Sequence, residues 1–172
     1  MSDSSAAIAY RAKYASAESY AAGTRGPSVV ACDVATSDVY YSGALLSEAF
    51  ANTSSLLTNG SAVYCTTAQE DNASLEALLR AAMHKRVDFA RVIVMRTASD
   101  FDRPYPGEAP SENLFWADQG GFEPAIANIY AAGIKVVQGI LGGWKETFRE
   151  GVAPTNYIGD IFGTLGGTPD FG

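Results

Sequence analysis

The chain has 172 residues, 47% of them hydrophobic and 18% charged, a composition typical of a globular domain with its own core. Its formal net charge of -7 argues against nucleic acids or anionic membranes as partners, because both are bound by basic surfaces. The single histidine, His84, excludes a multi-histidine metal site. We expect no bound metal, and we expect His84 near the C-terminal end of a helix.

The first part of the chain is predicted to alternate between helices and short strands. An alanine-rich stretch, residues 6–22, predicts a helix that ends at Gly23. The apolar run 27–33 predicts a buried strand. Residues 42–52 have apolar side chains at helical spacing, with Ser42 as a candidate N-cap.

The middle of the chain predicts a strand, a helix and a second strand. Residues 62–67 form the first apolar run, and residues 89–96, "FARVIVMR", form the strongest strand signal in the chain. Between them, residues 71–86 predict a clear amphipathic helix, capped at its start by Asp71 or Asn72. A right-handed crossover would make the two strands parallel, so that their carboxyl ends open on one rim of the sheet, where ligands of open α/β sheets bind.

The last part of the chain predicts one or two helices, with a division near Gly133. Its apolar stretch, residues 129–144, is short for a membrane span and carries Lys135, so we interpret it as core. The start of the chain lacks the basic and apolar regions of a secretory signal. We therefore expect a soluble or peripherally membrane-associated protein.

The two cysteines and the Asn-x-Ser/Thr triplets bear on the cellular compartment of the protein. Cys32 and Cys65 each lie at the end of an apolar run, and we interpret them as buried thiols rather than a disulfide. Three Asn-x-Ser/Thr triplets begin at Asn52, Asn59 and Asn72. Such triplets arise by chance in a chain rich in serine and threonine, so they are weak evidence for secretion.

Acidic residues follow both strands of the predicted strand–helix–strand unit. Glu70 can accept two hydrogen bonds, which matches a pair of neighbouring sugar hydroxyls, or it can simply help to cap the following helix. Asp100, partly buried at the mouth of the second strand, would have a raised pKa and could protonate a leaving base. Its alternative role is an Asx turn that closes the strand-to-loop junction.

Aromatic side chains supply candidates for stacking on a flat heterocycle, although most aromatic residues in such a chain belong to the core. Phosphate-binding motifs are not found: the sequence has neither a P-loop nor a GxGxxG element. The stacking candidates are Tyr40, Tyr41, Phe101, Phe115 and Trp116.

Four stretches together resemble the purine nucleoside permease family, which is itself similar to the nucleoside phosphorylases: "SDVYYSGALLSEAF", "TTAQEDNASLEALL", "RVIVMRTASDFDRP" and "FEPAIANIYAAG". The resemblance runs from about residue 27 to residue 154 and corresponds to the C-terminal half of the longer family members. It implies an α/β fold with a mostly parallel sheet flanked by helices, a phosphorylase-like three-layer sandwich that is incomplete in this chain. Residues 1–26 would then continue a missing N-terminal half, residues 27–160 would form the nucleoside-binding domain, and residues 161–172 a flexible tail.

The resemblance also implies roles for individual residues. A glutamate after a strand holds the ribose in the related enzymes, and Glu70 is similar to it. The aspartate of a Ser-Asp pair contacts the purine and acts as the acid, which Ser99 and Asp100 resemble. Gln69 departs from the methionine that commonly precedes the glutamate. The candidate ligand-binding residues are Glu70, Gln69, Ser99, Asp100, Tyr41 and Phe101.

The resulting functional expectation is a protein that binds purine nucleosides and serves their uptake without itself spanning the membrane. An alternative is an enzyme, a nucleoside phosphorylase or nucleosidase, in which Asp100 is the general acid and phosphate or water is the acceptor. Phosphate would be a co-substrate if the reaction is phosphorolysis, and no cofactor is expected. A second alternative is an inactive truncated fragment. Self-association into a homo-oligomer is expected if apolar surface remains exposed.

Overall fold

The computed structural model describes residues 1–152, which contain helices and a small parallel sheet. The mixed α/β class is therefore confirmed, whereas the predicted tail, residues 161–172, and the end of the predicted 27–160 domain lie outside the described residues. The α-helices are α1 (Ser5–Ala12), α2 (Ala44–Leu57), α3 (Asp71–Met83), α4 (Pro110–Phe115) and α5 (Phe122–Gly142). The strands are β1 (Asp33–Thr36) and β2 (Tyr64–Ala68); 3-10 turns lie at Lys13–Ser16, Glu18–Thr24 and Phe89–Arg91, and a π-helical turn at Trp144–Phe148.

The chain divides into two compact units, each assembled from separated stretches of sequence. Unit 1 comprises Met1–Ala31, Tyr40–Ala49 and Met95–Lys135. Unit 2 comprises Cys32–Val39, Phe50–Val94 and the described residues 136–152. The predicted domain boundary at residue 26 remains a prediction.

The sheet of unit 2 pairs β1 with β2 in parallel, with Val34 opposite Thr66 and Thr36 opposite Ala68. The second predicted strand, residues 62–67, is thus confirmed with a small shift. The first is wrong, because residues 27–32 lie outside the sheet and β1 begins only at Asp33. Strand propensity describes how well side chains fit a half-buried pleated surface, and a run without a pairing partner does not become a strand.

Cys32 and Cys65 form a disulfide, so their interpretation as buried thiols is wrong. Their Cα atoms are 6.2 Å apart, within the range that a disulfide bridges. The parallel pairing explains the contact, because Asp33 lies opposite Tyr64 and each cysteine is the next residue in the chain to one of this pair. Nothing in the linear spacing of the two cysteines indicates this pairing.

Helix α3 begins at Asp71 with Glu70 as its N-cap residue, and the side chain of Glu70 makes no capping hydrogen bond. The N–H of Asn72 instead donates to Oγ1 of Thr36, 3.0 Å away at the end of β1. The prediction that Asp71 or Asn72 caps the helix is therefore wrong. The prediction for His84 is confirmed, since it is the C-cap residue of α3.

The segment with the strongest strand signal does not form a strand. Phe89–Arg91 makes a 3-10 turn, and residues 92–96 lie outside the sheet although Val92 has extended backbone angles. The side chain of Ile93 is 63% exposed. Because β2 pairs with β1 in the described part of the chain, the predicted strand–helix–strand unit with neighbouring parallel strands is wrong.

Unit 1 is organised around α1 and the turn that follows it. Tyr14, only 1% exposed, packs its ring against Phe101 with the centroids 4.3 Å apart. Its hydroxyl donates to the carbonyl of Arg103 at 2.7 Å. The N-terminal helix predicted over residues 6–22 is thus shorter, and the aromatic side chains near its end hold the segment that contains Phe101 and Arg103.

Two helix predictions need correction in detail. Ser42 is not an N-cap, because α2 begins at Ala44 and Gly43 precedes it. Helix α5 runs without a division through Gly133. Its apolar side chains are largely exposed, Tyr130 by 72%, so their interpretation as core is wrong. By length and composition, α5 is one helix that could cross a membrane.

Candidate functional site

Unit 1 contains a small open pocket of about 180 Å³. One wall is the Ser99–Asp100 segment, and the other is the turn at residues 117–121 that leads into α5, with Phe122 at its start. Two residues that the sequence singled out, Ser99 and Asp100, thus lie at the same pocket.

Asp100 is the group in this pocket with altered acidity. Partial burial raises the pKa of its carboxyl above the ordinary value; a hydrogen bond with Ser99 opposes the rise, and the negative charge of Asp102 adds to it. Asp100 nevertheless remains exposed to solvent, so we expect water to screen much of the effect. The carboxyl therefore holds a proton more readily than an ordinary aspartate, as a hydrogen-bond donor to a ring nitrogen would require.

Gln119 holds the backbone immediately after Asp100. Its Oε1 accepts a hydrogen bond from the N–H of Phe101 at 2.7 Å, and its Nε2 donates to the carbonyl of the same residue at 3.5 Å. Both backbone polar groups of Phe101 are thereby directed toward one side chain. This contact fixes the direction in which the chain leaves Asp100.

Two glycines permit the close approach of the pocket walls. A Cβ atom at Gly121 would lie 1.8 Å from the carbonyl oxygen of Ser99, and one at Gly120 would lie 2.6 Å from Cβ of Ala6. Gly120 also has a φ of +69°, which favours glycine. Its carbonyl accepts a hydrogen bond of 2.8 Å from Oγ of Ser4, so the pocket turn is tied to the start of α1.

The pocket combines acidic oxygens with the N-terminal end of a long helix. Oδ1 of Asp118 accepts the N–H of Gly120 at 2.9 Å in an Asx turn. The free N–H groups of the first turn of α5 carry a partial positive charge. The ring of Phe122 is 70% exposed at the pocket and offers a stacking face. Hydrogen-bonding groups beside a flat apolar surface suit a heterocyclic ring.

The other predicted contact residues of unit 1 have separate surroundings. The ring of Phe101 packs on Tyr14 and lies close to Gly23, so it contributes to the core of the unit. Tyr41 is half-buried. Their roles as ligand contacts remain predictions.

Glu70 and Gln69 belong to unit 2, where both are exposed between β2 and α3. The carbonyl of Glu70 accepts the N–H of Ser74 at 3.0 Å in the first turn of α3, so the carboxylate lies at the positive end of that helix, as predicted. The predicted convergence of Glu70 with Asp100 remains a prediction, and the strand pairing from which it was inferred is absent from residues 1–152.

Sequence reasoning missed the whole second wall of the pocket, residues 117–121 and Phe122. A usable signal was present, since "DQGGF" places an Asx-turn residue and two glycines directly before a helix. Within residues 1–152, no group of three or more histidine, cysteine or acidic side chains is arranged to hold a metal ion.

Comparison with known proteins gives matches over most of the chain. A family model described as purine nucleoside permease matches residues 1–153. A purine nucleoside permease of Candida albicans is 47% identical over 148 residues, which are 85% of this chain and 36% of the relative. A probable purine nucleoside permease of Schizosaccharomyces pombe is 37% identical over 145 residues, 84% of this chain and 40% of the relative. The chain thus spans well under half the length of these curated relatives, and no solved structure matches it.

Proposed function

This chain belongs to the purine nucleoside permease family, and we propose that it binds purine nucleosides as part of a protein that serves their uptake. The family match over residues 1–153 is the observation that carries the proposal. The names of the relatives support a transport-related role. The pocket at Asp100 supports a direct contact with the ligand.

The pocket suits the base rather than the whole nucleoside. Its volume of about 180 Å³ is below the ~300–1,000 Å³ usual for sites that enclose a complete small molecule. Asp100 would exchange a hydrogen bond with a ring nitrogen of the purine, Ser99 would support that carboxyl, and Phe122 would stack on the ring. The remaining contacts to the nucleoside would come from elsewhere in the protein.

Glu70 is proposed as the contact to the ribose. The side chain of Glu70 is exposed at the N-terminus of α3, and its two carboxyl oxygens can accept hydrogen bonds from two adjacent hydroxyls. This part of the proposal is independent of the base pocket. It predicts that Glu70 matters for a nucleoside and not for its free base.

Calorimetric titration with inosine, adenosine and hypoxanthine tests the proposal. Asp100→Ala should weaken binding of nucleoside and free base alike by roughly 2- to 10-fold, the value of a hydrogen bond between neutral groups. Glu70→Gln should weaken binding of inosine and leave binding of hypoxanthine unchanged. Glu123→Gln is the matched control, because it removes one charge near the start of α5 without lining the pocket.

Three results would contradict the proposal at different points. Absence of inosine and adenosine binding by the unaltered protein would reject the function and favour an inactive fragment. Equal weakening of ligand binding by Asp100→Ala and Glu123→Gln would show that Asp100 acts only through its charge and does not contact the ligand. Equal weakening of inosine and hypoxanthine binding by Glu70→Gln would remove the ribose assignment.

Cleavage of the N-glycosidic bond is a second candidate, favoured by the raised pKa of Asp100. A carboxyl that retains a proton can protonate the departing base, which accelerates such reactions by ~10²–10⁴-fold. Release of free base from inosine, measured with and without phosphate, separates this reaction from binding alone. Asp100→Asn should abolish release and spare much of the binding; release that survives this change would reject Asp100 as the acid.

We further propose that the two-stranded sheet is part of a larger parallel sheet of the nucleoside phosphorylase type. The support is that the match covers only 36% and 40% of the length of two curated relatives, so most of each relative lies outside the matched part. A structure of a full-length relative tests this. A relative in which the strands equivalent to β1 and β2 have no further parallel neighbour would contradict it.

The transport role is proposed to be exerted from outside the bilayer. Helix α5 is apolar enough to span, yet Lys135 lies within it, and a lysine near the centre of a span costs ~2.5–3.5 kcal/mol. Alkaline carbonate extraction of membranes from producing cells tests this. Retention of the protein in the extracted membrane pellet, with α5 protected from proteolysis, would show that it is inserted.

A further inference from the structure

Three Asn-x-Ser/Thr triplets are indistinguishable in the sequence, but the structure separates them. Asn72 lies in the first turn of α3, where its Oδ1 accepts a hydrogen bond from Thr36 at 3.0 Å and its Nδ2 donates to Asp38 at 3.3 Å. Asn52 is exposed but lies in the interior of α2. Both asparagines therefore lie in helices and not in an exposed turn.

Asn59 has a different setting. It follows the end of α2, with a left-handed φ of 50°, and Gly60 continues the turn with a φ of 76°. Asn59, Gly60 and Ser61 are all exposed. A bulky glycan requires a surface position of this kind, and a turn presents the asparagine away from regular backbone structure.

The disulfide is an independent observation about the compartment. Cys32 and Cys65 are joined across the parallel strand pair. Disulfides persist in oxidising compartments and are rare in the cytosol. The compartment in which secretory proteins form disulfides is also the one in which asparagine-linked glycans are added, so the two features support the same cellular route.

We propose that Asn59 is an N-glycosylation site and that the chain matures in the oxidising secretory compartment. Nδ2 of Asn59 forms a bond to the anomeric carbon of an oligosaccharide whose bond to a lipid pyrophosphate breaks, and the amide proton leaves with the pyrophosphate. The two cysteine thiols give up two electrons and two protons to a disulfide-carrying oxidoreductase, which becomes the dithiol. The proposal does not depend on nucleoside binding.

Peptide mass spectrometry of the protein isolated from the cells that produce it tests the proposal. Trypsin leaves all three asparagines on one peptide, because no lysine or arginine lies between Arg25 and Arg80. Cleavage after Glu48, Leu57 and Glu70 separates them. We expect a glycan on the Asn59 peptide, an unmodified Asn72 peptide, and a disulfide joining the peptides of Cys32 and Cys65 before reduction.

Variants provide the matched controls. Asn59→Gln and Ser61→Ala should each abolish the shift in electrophoretic mobility that endoglycosidase produces, because either change destroys the acceptor triplet. Asn72→Gln should leave the shift unchanged. An unmodified Asn59 in protein recovered from its own cells would overturn the proposal, whether or not the disulfide is present, and so would freely alkylated cysteines or a glycan at Asn72.

Discussion

The two units of the molecule are stabilised in different ways. In the described residues, four of the buried hydrophobic side chains belong to unit 1 and one, Ala82, belongs to unit 2. Unit 1 is held by side-chain contacts between residues about a hundred positions apart. Unit 2 is held by helices, a short sheet and a covalent bond. The difference teaches that a small unit with little buried apolar surface depends on a crosslink.

A polar network is the most connected feature of unit 1. Nδ2 of the buried Asn113 donates to the hydroxyl of Tyr10 at 2.8 Å and to the carboxylate of Glu108 at 3.0 Å. Tyr10 donates to Glu108 at 2.9 Å, and Ser42 donates to Oδ1 of Asn113. Burial, followed by the hydrogen bond and charge of Glu108, raises the pKa of Tyr10. The tyrosine therefore remains a neutral donor at physiological pH.

In unit 2, a network of exposed side chains joins Asn72 to Thr36 and Asp38: Oδ1 of Asn72 accepts a hydrogen bond from Thr36, and its Nδ2 donates to Asp38. At the start of the unit's sheet, Asp33 and Val63 are joined by two hydrogen bonds. Oδ2 of Asp33 accepts the N–H of Val63 at 2.7 Å, and the N–H of Asp33 donates to the carbonyl of Val63 at 3.2 Å. Its apolar side chains, including those of Leu56 and Leu57, are mostly exposed. We therefore expect the disulfide to contribute a large share of the folding stability of this unit.

The largest expected effect is that of Gly121→Ala, which attacks the tightest contact of unit 1. The new Cβ would meet the carbonyl of Ser99 at 1.8 Å, and we expect a loss of more than about 4 kcal/mol in the free energy of unfolding. Gly139→Ala is the control, because a Cβ atom there would meet nothing within 4 Å outside its own helix. Alanine in place of glycine in a helix interior raises the free energy of unfolding by ~0.5–1 kcal/mol. Urea unfolding measures both; equal stability of the two variants would show that the pocket walls are not in contact.

Loss of the disulfide should have the next largest effect, confined to unit 2. The cysteines are 33 positions apart, and closing a loop of that length contributes about 3–4 kcal/mol. Cys32→Ser and Cys65→Ser should lose the same amount, since each breaks the same bond. Hydrogen exchange should accelerate at the amides of β1 and β2 and stay unchanged around Tyr14; acceleration in both units would contradict their separate stabilisation.

Tyr10→Phe should weaken unit 1 by an intermediate amount. It removes the hydrogen bond to the Glu108 carboxylate and leaves Asn113 with one partner fewer, at a cost of about 1.5–3 kcal/mol. Tyr40→Phe is the matched control, because Tyr40 is 61% exposed, and surface changes usually stay within ~0.5 kcal/mol. Thermal unfolding measures both. A Tyr10→Phe protein as stable as the control would show that the network is dispensable.

The smallest expected effect is the pH dependence caused by Asp100. The pKa of the Asp100 carboxyl is higher in the folded protein than the value of 3.8 in the unfolded chain. The protonated carboxyl therefore contributes fully to the free energy of unfolding below pH 3.8, and this contribution is lost as pH rises through the folded pKa. Asp100→Asn should therefore gain stability relative to the unaltered protein as pH rises across this window. Screening of the exposed carboxyl keeps the gain small. Parallel stability curves for the two proteins would show that the pKa is not raised.

Sequence reasoning succeeded where the signal was local. The stripe of leucine and alanine in α3, the position of His84 at its end, and the run that became β2 were predicted within a few residues. It failed where an element required a distant partner. Residues 92–96 have the side chains of a strand but no neighbouring strand in the described chain, and Thr36 takes the capping role assigned to Asp71 or Asn72.

The candidate site shows the same division. Ser99 and Asp100 were identified by their resemblance to a known pair, whereas Gln119 and Phe122 were not, because they become part of the site only when the turn before α5 folds against that segment. This contact is possible because Gly120 and Gly121 have no Cβ atom. A pattern search weighs the side chains that are present and gives little weight to those that are absent.

The sequence by itself determined the mixed α/β class, the sites of most helices and membership of the purine nucleoside permease family, because periodicity, composition and motif identity are properties of neighbouring residues. Only the tertiary structure decided which strands pair, that Cys32 bonds to Cys65, and which turn completes the pocket at Asp100. These features depend on contacts between residues far apart in the chain. Their stability comes from the partner as much as from the residue, so no short stretch of sequence specifies them.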